Sequence, residues 1–243
     1  KANLIDTGAN YSDRGFQRYL GDGSPANSGL LNSALNVANQ ANLVLSDAAL
    51  WVDYIFLDTD ERRRFAQLSH EYLIEQLQFT GSDTISTAGN TKSIRMNFNH
   101  PCKELVWYVK PDVASGATTY WNNFTDRNTD NNVWLGNNPV TEAKIQLNGN
   151  DRFTERSGEY FNLVQPYQHH ENTPDVFHKG INVYSFAIKP EEHQPSGTCN
   201  FSRIDNAIIN YNQSGSSNTF RMWAVNYNVL RIMSGMGGLA YSN

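Results

Sequence analysis

Hydrophobic and polar residues alternate with a period of two along much of the chain beyond residue 90. Ile94, Met96 and Phe98, for example, alternate with polar residues. Because successive side chains of a strand point to opposite faces, this pattern predicts a half-buried strand. The same pattern predicts further strands over residues 104–109, 143–147, 152–155, 181–188, 199–211, 220–233 and 239–242.

The part of the chain before residue 90 has a different pattern. Residues 1–42 are rich in Gly, Asn and Ser and are expected to form a long loop. Residues 51–57 are apolar on both alternate faces, which predicts a strand covered on both sides. Ser69 is placed to cap a short helix that continues through Leu77. The predicted buried side of this helix comprises Leu68, Tyr72 and Leu77.

The strands follow one another without helical spacing between them. Asn148-Gly149 separates two of them and is a strong signal for a tight hairpin. Strands that are not joined by crossover helices imply an antiparallel sandwich rather than a parallel sheet. About eight strands with long end loops are typical of a jelly roll built from two Greek keys. The sequence therefore predicts an all-β, antiparallel jelly-roll sandwich.

Composition narrows the function classes. The 243 residues include 12 Tyr, 12 Phe and 5 Trp, enough to fill a core, and 30 Asn, which favour structured loops. The net charge of −5 argues against direct binding of nucleic acid, which needs a basic surface. Two cysteines cannot build a disulfide framework, and the apolar runs are too short to span a bilayer.

The cluster with the most site-like chemistry is His169-His170-Glu171. Metal ligation needs converging side chains, whereas adjacent residues on an extended chain diverge. A loop or subunit contact is the favoured interpretation, and metal binding or catalysis is the alternative.

Other charged and glycine-rich segments have structural interpretations. Glu61-Arg62-Arg63-Arg64 is interpreted as a solvated or salt-bridged face rather than a nucleic-acid binding site. Arg203 and Asp205 are predicted to pair on one strand face, and residues 235–238 to form a tight strand connection. Nucleophile-elbow, Walker, zinc-protease and dinucleotide motifs are absent from the sequence, so no catalytic, cofactor-binding or metal-binding residue is assigned.

The cysteines and the glycosylation sequons say little about the function of the protein. Cys102 and Cys199 are expected to be buried free thiols, with a disulfide as the alternative. Asn-x-Ser/Thr sequons begin at Asn10, Asn123, Asn200 and Asn212. Only Asn123, in a long loop, is favoured as exposed.

One segment carries a resemblance to a known family. Pro195-Ser196-Gly197-Thr198-Cys199-Asn200-Phe201-Ser202-Arg203, preceded by residues 186–192, resembles the major capsid proteins of nucleocytoplasmic large DNA viruses. The likeness extends upstream through residues 57–65 and 73–77 and downstream to residues 228–232.

The resemblance implies a double jelly roll, with two sandwiches in one chain. Residues 1–64 would be a loop and the closing strands of an incomplete first jelly roll, 65–80 a linker with a short helix, and 81–243 the complete second jelly roll. Most of the first sandwich would then lie outside this sequence, which is expected to begin inside a longer polypeptide.

The resemblance also implies partners and a location. The expected role is a structural subunit of an icosahedral shell that assembles as homotrimeric, pseudo-hexagonal capsomers. These would contact neighbouring capsomers and minor capsid proteins, with the inner face near the viral membrane, and would assemble in the host cytoplasm before residing in the virion. No enzymatic activity, cofactor or metal is implied.

A second hypothesis comes from the aromatic residues in a polar loop. Trp121, Phe124 and Trp134 are best explained as loop-core or interface anchors. They would also suit a carbohydrate-binding jelly-roll module, in which aromatic faces stack on sugars and Asn amides bind hydroxyls. A jelly-roll enzyme is a third hypothesis, supported only by the His169–Glu171 cluster.

Overall fold

The computed structural model describes residues 49–85, 91–111, 124–126, 136–173, 179–214 and 218–241. Its strands are β1 (His70–Ile85), β2 (Lys92–Arg95), β3 (Pro101–Pro111), β4 (Val140–Leu147), β5 (Asn150–Asp151), β6 (Arg156–Ser157), β7 (Ile181–Ser185), β8 (Cys199–Asn200), β9 (Ala207–Gln213), β10 (Asn218–Met233) and β11 (Met236–Leu239). The helices are α1 (Thr59–Gln67), a π-helical turn (Tyr160–Val164), α2 (Gln165–His169) and a 3₁₀ turn (Phe201–Arg203). No helix within these ranges is long and apolar enough to cross a membrane.

The strands form two antiparallel sheets. Sheet A has the order β1-β10-β3-β7, with β11 paired to β10 and β8 paired to β3. Sheet B has the order β2-β9-β4-β5, with β6 paired to β4. Apart from the β4–β5–β6 group, successive long strands alternate between the sheets, which is the strand pattern of a jelly roll. The predicted all-β antiparallel sandwich is confirmed.

The core lies between the sheets and follows the alternation in the sequence. Leu105, Trp107 and Val109 on β3 are fully buried, as the pattern of residues 104–109 predicts. Across the sheet, Trp107 is opposite Met222, and Leu105 is opposite Ala224. Sheet B contributes the buried side chains of Ala143, Ile145, Ile209 and Tyr211.

The hairpin after β4 forms where the sequence predicts it. Asn148 and Gly149 both have positive φ, 51° and 82°, the backbone that a tight hairpin of this kind requires. The Asn148 side-chain oxygen also accepts hydrogen bonds from the backbone N–H groups of Asp205 and Asn206, at 3.0 and 3.1 Å. The turn thus joins the hairpin to the segment before β9.

The helix prediction around Ser69 is wrong. Residues 70–85 form β1, which pairs with β10 from His70↔Ile232 to Ile85↔Asn218. The helix lies earlier, at Thr59–Gln67, where the Asp58 carboxylate caps it by accepting from the Thr59 N–H. Long-range pairing with β10 overrides the helix-forming residues of this segment. The side chains expected to be buried, Leu68, Tyr72 and Leu77, are all exposed.

The strand predicted over residues 51–57 is also wrong. This segment has no regular secondary structure, and its large side chains are exposed, with Trp51 at 93% and Phe56 at 91%. A segment that is apolar on both faces needs cover on both sides, and none of the described residues provides it. The division into residues 1–64, 65–80 and 81–243 stays a prediction, although its boundary at residue 81 falls within β1.

Other strand predictions have different ends in the structure. The return strand predicted at residues 152–155 does not form there. The short strands β5 and β6 lie on either side of these residues instead. The strand placed at 199–211 is interrupted by the 3₁₀ turn at Phe201–Arg203. Arg203 and Asp205 therefore do not share a strand face, and the backbone oxygen of Asp205 accepts from Arg95 instead.

Candidate functional site

His170, the most site-like residue of the sequence, lies between two carboxylates. Its Nδ1 is 3.0 Å from Glu191 Oε1, and its Nε2 is 3.1 Å from Glu104 Oε2. The second contact is an ion pair without a well-formed hydrogen bond, since neither Glu104 Oε2 nor His170 Nε2 has one. The contacts to Glu104 and Glu191 raise the pKa of His170 against the opposing effect of burial.

This arrangement makes His170 a cationic cross-link rather than a ligand. A neutral imidazole has one donor and one acceptor nitrogen, so facing two carboxylates favours the doubly protonated ring. His169 faces another way, with Nδ1 2.9 Å from the Ile188 carbonyl oxygen. Among the residues that the structure describes, no three His, Cys, Asp or Glu side chains are grouped to hold a metal ion.

A buried lysine near this cluster was not identified from the sequence. Lys103 occupies a β-bulge, because Cys102 and Glu104 flank it while their partners on β10 are consecutive residues. Its ammonium donates to the Pro190 carbonyl oxygen at 2.6 Å and lies 2.7 Å from Glu75 Oε1. The sequence does not predict the burial of Lys103. This residue stands in a strand of alternating pattern, and only the bulge turns its side chain towards Glu75 on β1.

The segment that carries the family resemblance is a structural clasp. The Ser196 hydroxyl accepts from the Lys189 N–H at 2.9 Å and donates to the Lys189 carbonyl at 3.2 Å, which closes the loop between residues 189 and 196. At Gly197, with φ of 147°, a Cβ atom would lie 2.8 Å from the Phe186 carbonyl oxygen. Only glycine fits this close approach without strain.

The second half of this segment attaches to β3 and to the core. Asn200 caps the 3₁₀ turn by accepting from the Ser202 N–H, and the Ser202 hydroxyl accepts from the His100 N–H at 2.8 Å. Phe201 is buried, with its ring edge-on to Phe98 at 5.9 Å between centroids. Ser196, Gly197, Asn200, Phe201 and Ser202 therefore all have folding roles.

The outer face of sheet A carries a row of aromatic side chains. Phe79 on β1 stacks on Trp223 of β10 at 5.0 Å, Trp223 contacts Tyr108 of β3 at 5.5 Å, and Tyr108 meets Phe124 edge-on at 4.9 Å. Phe79 is 50% exposed, and Leu77 beside it is 65% exposed. We call these five side chains the aromatic face. Within the described residues it is an apolar surface of sheet A that stays partly exposed.

The structure describes only some of the other residues that the sequence singles out. Phe124 packs on Tyr108, consistent with an anchor role, whereas Trp121, Trp134, Asn10 and Asn123 lie outside the described residues. The sequon residue Asn212 donates to Glu142 at 2.9 Å. Residues 61–64 are on the exposed helix α1, where Arg63 pairs with Asp60 at 3.3 Å. This agrees with the salt-bridged interpretation of that run.

An open groove of about 460 Å³ lies between the edges of the two sheets. Among the described residues that line it, Thr80, Asp83, Lys92 and Arg95 are polar and none is aromatic. A sugar site needs an aromatic platform for stacking, so this groove does not suit the carbohydrate-binding hypothesis.

Comparisons with known proteins identify similar sequences. The family model described as large eukaryotic DNA virus major capsid protein matches residues 61–238. The major capsid protein of Pyramimonas orientalis virus is 52% identical, over 86% of this chain and 52% of its own length. That of Paramecium bursaria Chlorella virus 1 is 45% identical, over 87% of this chain and 57% of its own. The chain thus spans about half the length of the curated relatives it matches.

Solved structures agree with this similarity. VP54 of PBCV-1, fitted into a reconstruction of the virophage Sputnik, matches with a TM-score of 0.62 and 42% identity, over 78% of this chain and 56% of that one. The Faustovirus major capsid protein matches with a TM-score of 0.55 at 16% identity, over 73% of this chain and 36% of that one, a likeness of fold alone. The carbohydrate-binding alternative has no support from these matches.

Proposed function

Because the chain belongs to the large eukaryotic DNA virus major capsid protein family, we propose that it is part of a structural subunit of an icosahedral virus shell. The family is structural and non-enzymatic. The residues with reactive side chains fit this role, since His170, Lys103 and the clasp at 195–203 all stabilise the sandwich.

The observation that supports assembly is the exposure of the aromatic face. Aromatic residues are enriched at the centres of protein interfaces, where they bury large areas with little loss of conformational entropy. Phe79, Trp223 and Tyr108 form one row across three strands, so they present a rigid surface. We propose that this face packs against a neighbouring sandwich of the same assembly.

The assembled form proposed here is a homotrimer that builds a pseudo-hexagonal capsomer. Relatives about twice as long as this chain supply room for a second sandwich in each subunit. Neighbouring capsomers and minor capsid proteins would be its lateral partners, and its inner face would lie near the viral membrane without contacting nucleic acid directly. Assembly in the host cytoplasm and residence in the virion belong to the same proposal.

The test is the mass of the assembled protein. The complete polypeptide containing this sequence is purified and measured by native mass spectrometry and by mass photometry at physiological salt. Three copies per particle are expected. A polypeptide that is folded by circular dichroism yet strictly monomeric at micromolar concentration would overturn the proposal.

A further inference from the structure

Cys102 and Cys199 lie directly opposite one another on paired strands. Cys102 of β3 is the register partner of Cys199 of β8, and the pair is antiparallel. Directly opposed residues of antiparallel strands have Cα atoms about 4.5–5.5 Å apart. A disulfide needs about 4.4–6.8 Å between Cα atoms, so the backbone already meets the requirement. Both cysteines are nevertheless free thiols in this structure.

The two side chains project to the same side of the sheet. Cys102 is on the inner face, because its partner on β10 is Asn226, which continues the inward series of Met222 and Ala224. Cys199 packs against the same core. Side chains of opposed residues share a face, so the sulfur atoms approach one another without a change in strand direction.

The two thiols differ in access to solvent. Cys102 is completely buried, and its Sγ donates to the Glu104 carbonyl oxygen at 3.1 Å. Cys199 is partly exposed. An external reagent therefore reaches Cys199 first, and Cys102 is placed to react second from within the core.

Burial also sets the rate at which this pair reacts. Desolvation raises the pKa of both thiols, and for Cys199 the positive charge of Arg152 acts in the opposite direction. Because the thiolate is the nucleophile, the pair is slow at neutral pH and faster as the pH rises.

A disulfide between Cys102 and Cys199 would constrain a segment that few backbone pairs attach to sheet A. β8 contains two residues and meets β3 at two register positions, Pro101↔Asn200 and Cys102↔Cys199. A covalent link at the second position would fix the clasp at 195–203 to the central strands of sheet A. A cross-link that closes a long loop stabilises chiefly by restricting the unfolded chain.

We propose that Cys102 and Cys199 are a reversible disulfide-forming site that is oxidised by a low-molecular-weight disulfide. The Cys199 thiolate attacks one sulfur of the small disulfide, which forms a mixed disulfide and releases one small thiol. The Cys102 sulfur then attacks the Cys199 sulfur, and its proton passes to the departing small thiolate, which leaves as the second small thiol. Two protein S–H bonds are exchanged for one S–S bond, and the two electrons reduce the small disulfide.

The experiment uses glutathione disulfide and the purified complete polypeptide that contains this sequence. After incubation at mildly alkaline pH, remaining thiols are alkylated, and the peptides with Cys102 and Cys199 are identified by non-reducing mass spectrometry. The expected product is one cross-linked peptide pair with no glutathione attached, which dithiothreitol converts back to two alkylatable thiols. Two free thiols, or a stable glutathione adduct on Cys199, would overturn the proposal.

Two single variants test which cysteine reacts first with glutathione disulfide. C102S keeps a donor for the Glu104 carbonyl and is expected to stop at a glutathione adduct on Cys199. C199S is expected to leave Cys102 unmodified while the protein is folded, and to react only in guanidinium. An adduct on Cys102 in folded C199S would contradict the assigned order. Circular dichroism confirms that both variants fold.

A stability measurement gives an independent readout. The oxidised wild-type protein is expected to unfold at a higher temperature than the reduced protein, and C102S is expected to show no such difference after the same treatment. These readouts do not depend on shell assembly, so the inference goes beyond the proposed function and stands or falls separately from it.

Discussion

Lys103 and Glu75 form an ion pair in which the ammonium is buried and the carboxylate is partly open to water. Their charged atoms are 2.7 Å apart, and the side chains are 4% and 35% exposed respectively. The Lys103 ammonium also lies over the Tyr227 ring, 5.6 Å from its centroid. The bulge in β3 creates this geometry, since it turns Lys103 out of the regular alternation.

The two halves of this ion pair are predicted to contribute unequally to stability. Glu75→Ala leaves a buried ammonium without its carboxylate and should lower the free energy of unfolding by about 2–3 kcal/mol. Lys103→Met leaves a carboxylate that water can reach, so its cost should be smaller by about 1 kcal/mol. Guanidinium unfolding of both variants measures the difference. Equal costs, or the reverse order, would contradict the explanation.

The carboxylate–imidazole–carboxylate arrangement around His170 predicts a pH dependence of stability. The raised pKa of His170 means that its contribution is complete below about pH 6.5 and is lost as the pH rises through the raised value. The pKa of Glu191 is lowered, first by the Glu171 N–H and then by His170, so its contribution is complete above its ordinary value of 4.5 and is lost as the pH falls through the lowered value. Stability from this cluster should therefore be greatest between these limits.

Two histidine variants test this assignment. His170→Gln removes the cation between Glu104 and Glu191 and should flatten the fall in stability above pH 6.5, at a cost of about 1–3 kcal/mol at pH 6. His169→Gln is the matched control, because the contact of His169 within the described residues is to the Ile188 carbonyl oxygen rather than to a carboxylate. A His170→Gln profile parallel to that of the wild type would show that another group is responsible.

A close backbone approach at Gly158 predicts a steric effect. A Cβ atom there would lie 1.9 Å from the Val140 carbonyl oxygen, at the start of β4. Gly158→Ala should therefore lower the free energy of unfolding by about 3 kcal/mol or more. Gly238→Ala on β11 has no atom within 4 Å of its Cβ and should change stability by less than about 0.5 kcal/mol. Similar thermal unfolding of the two variants would refute the contact.

The aromatic face gives a prediction about assembly. Phe79→Asp places a charge at the proposed interface, where it would be buried without a partner, and should weaken trimer formation at least about tenfold. Tyr167→Asp alters a side chain that is 80% exposed on α2 and should leave assembly unchanged. Native mass spectrometry of the complete polypeptide across a dilution series measures both. Unchanged assembly of folded Phe79→Asp would exclude this face as the interface.

The sequence predicts those parts of the fold that depend on local signals. The alternation of Leu105, Trp107 and Val109 identifies β3, and the Asn148-Gly149 pair identifies the hairpin, because each signal lies within a few residues. Ser69 as a capping residue predicts a helix through Leu77, but the structure of this segment depends on β10 far along the chain. Helix α1 could have been found, because Asp58 before an acidic first turn is a capping signal.

The sites show the same division between local and distant information. The sequence identifies His170 as unusual, but its role depends on Glu104 and Glu191, which the fold alone brings together. Cys102 and Cys199 likewise become neighbours only through the pairing of β3 with β8. The aromatic face is assembled from three strands and one loop, so no single segment of the sequence predicts it.

The pairing of β1 with β10 has a consequence for synthesis on the ribosome. One of these strands begins at His70 and the other ends at Met233, so sheet A cannot close until nearly all of the residues between them have emerged. Until then β1 presents Leu77 and Phe79 with no β10 to pair with. The nascent chain thus passes through an interval in which β1 has an unpaired edge and exposed apolar side chains, and chaperones that hold unfolded segments would limit aggregation during that interval.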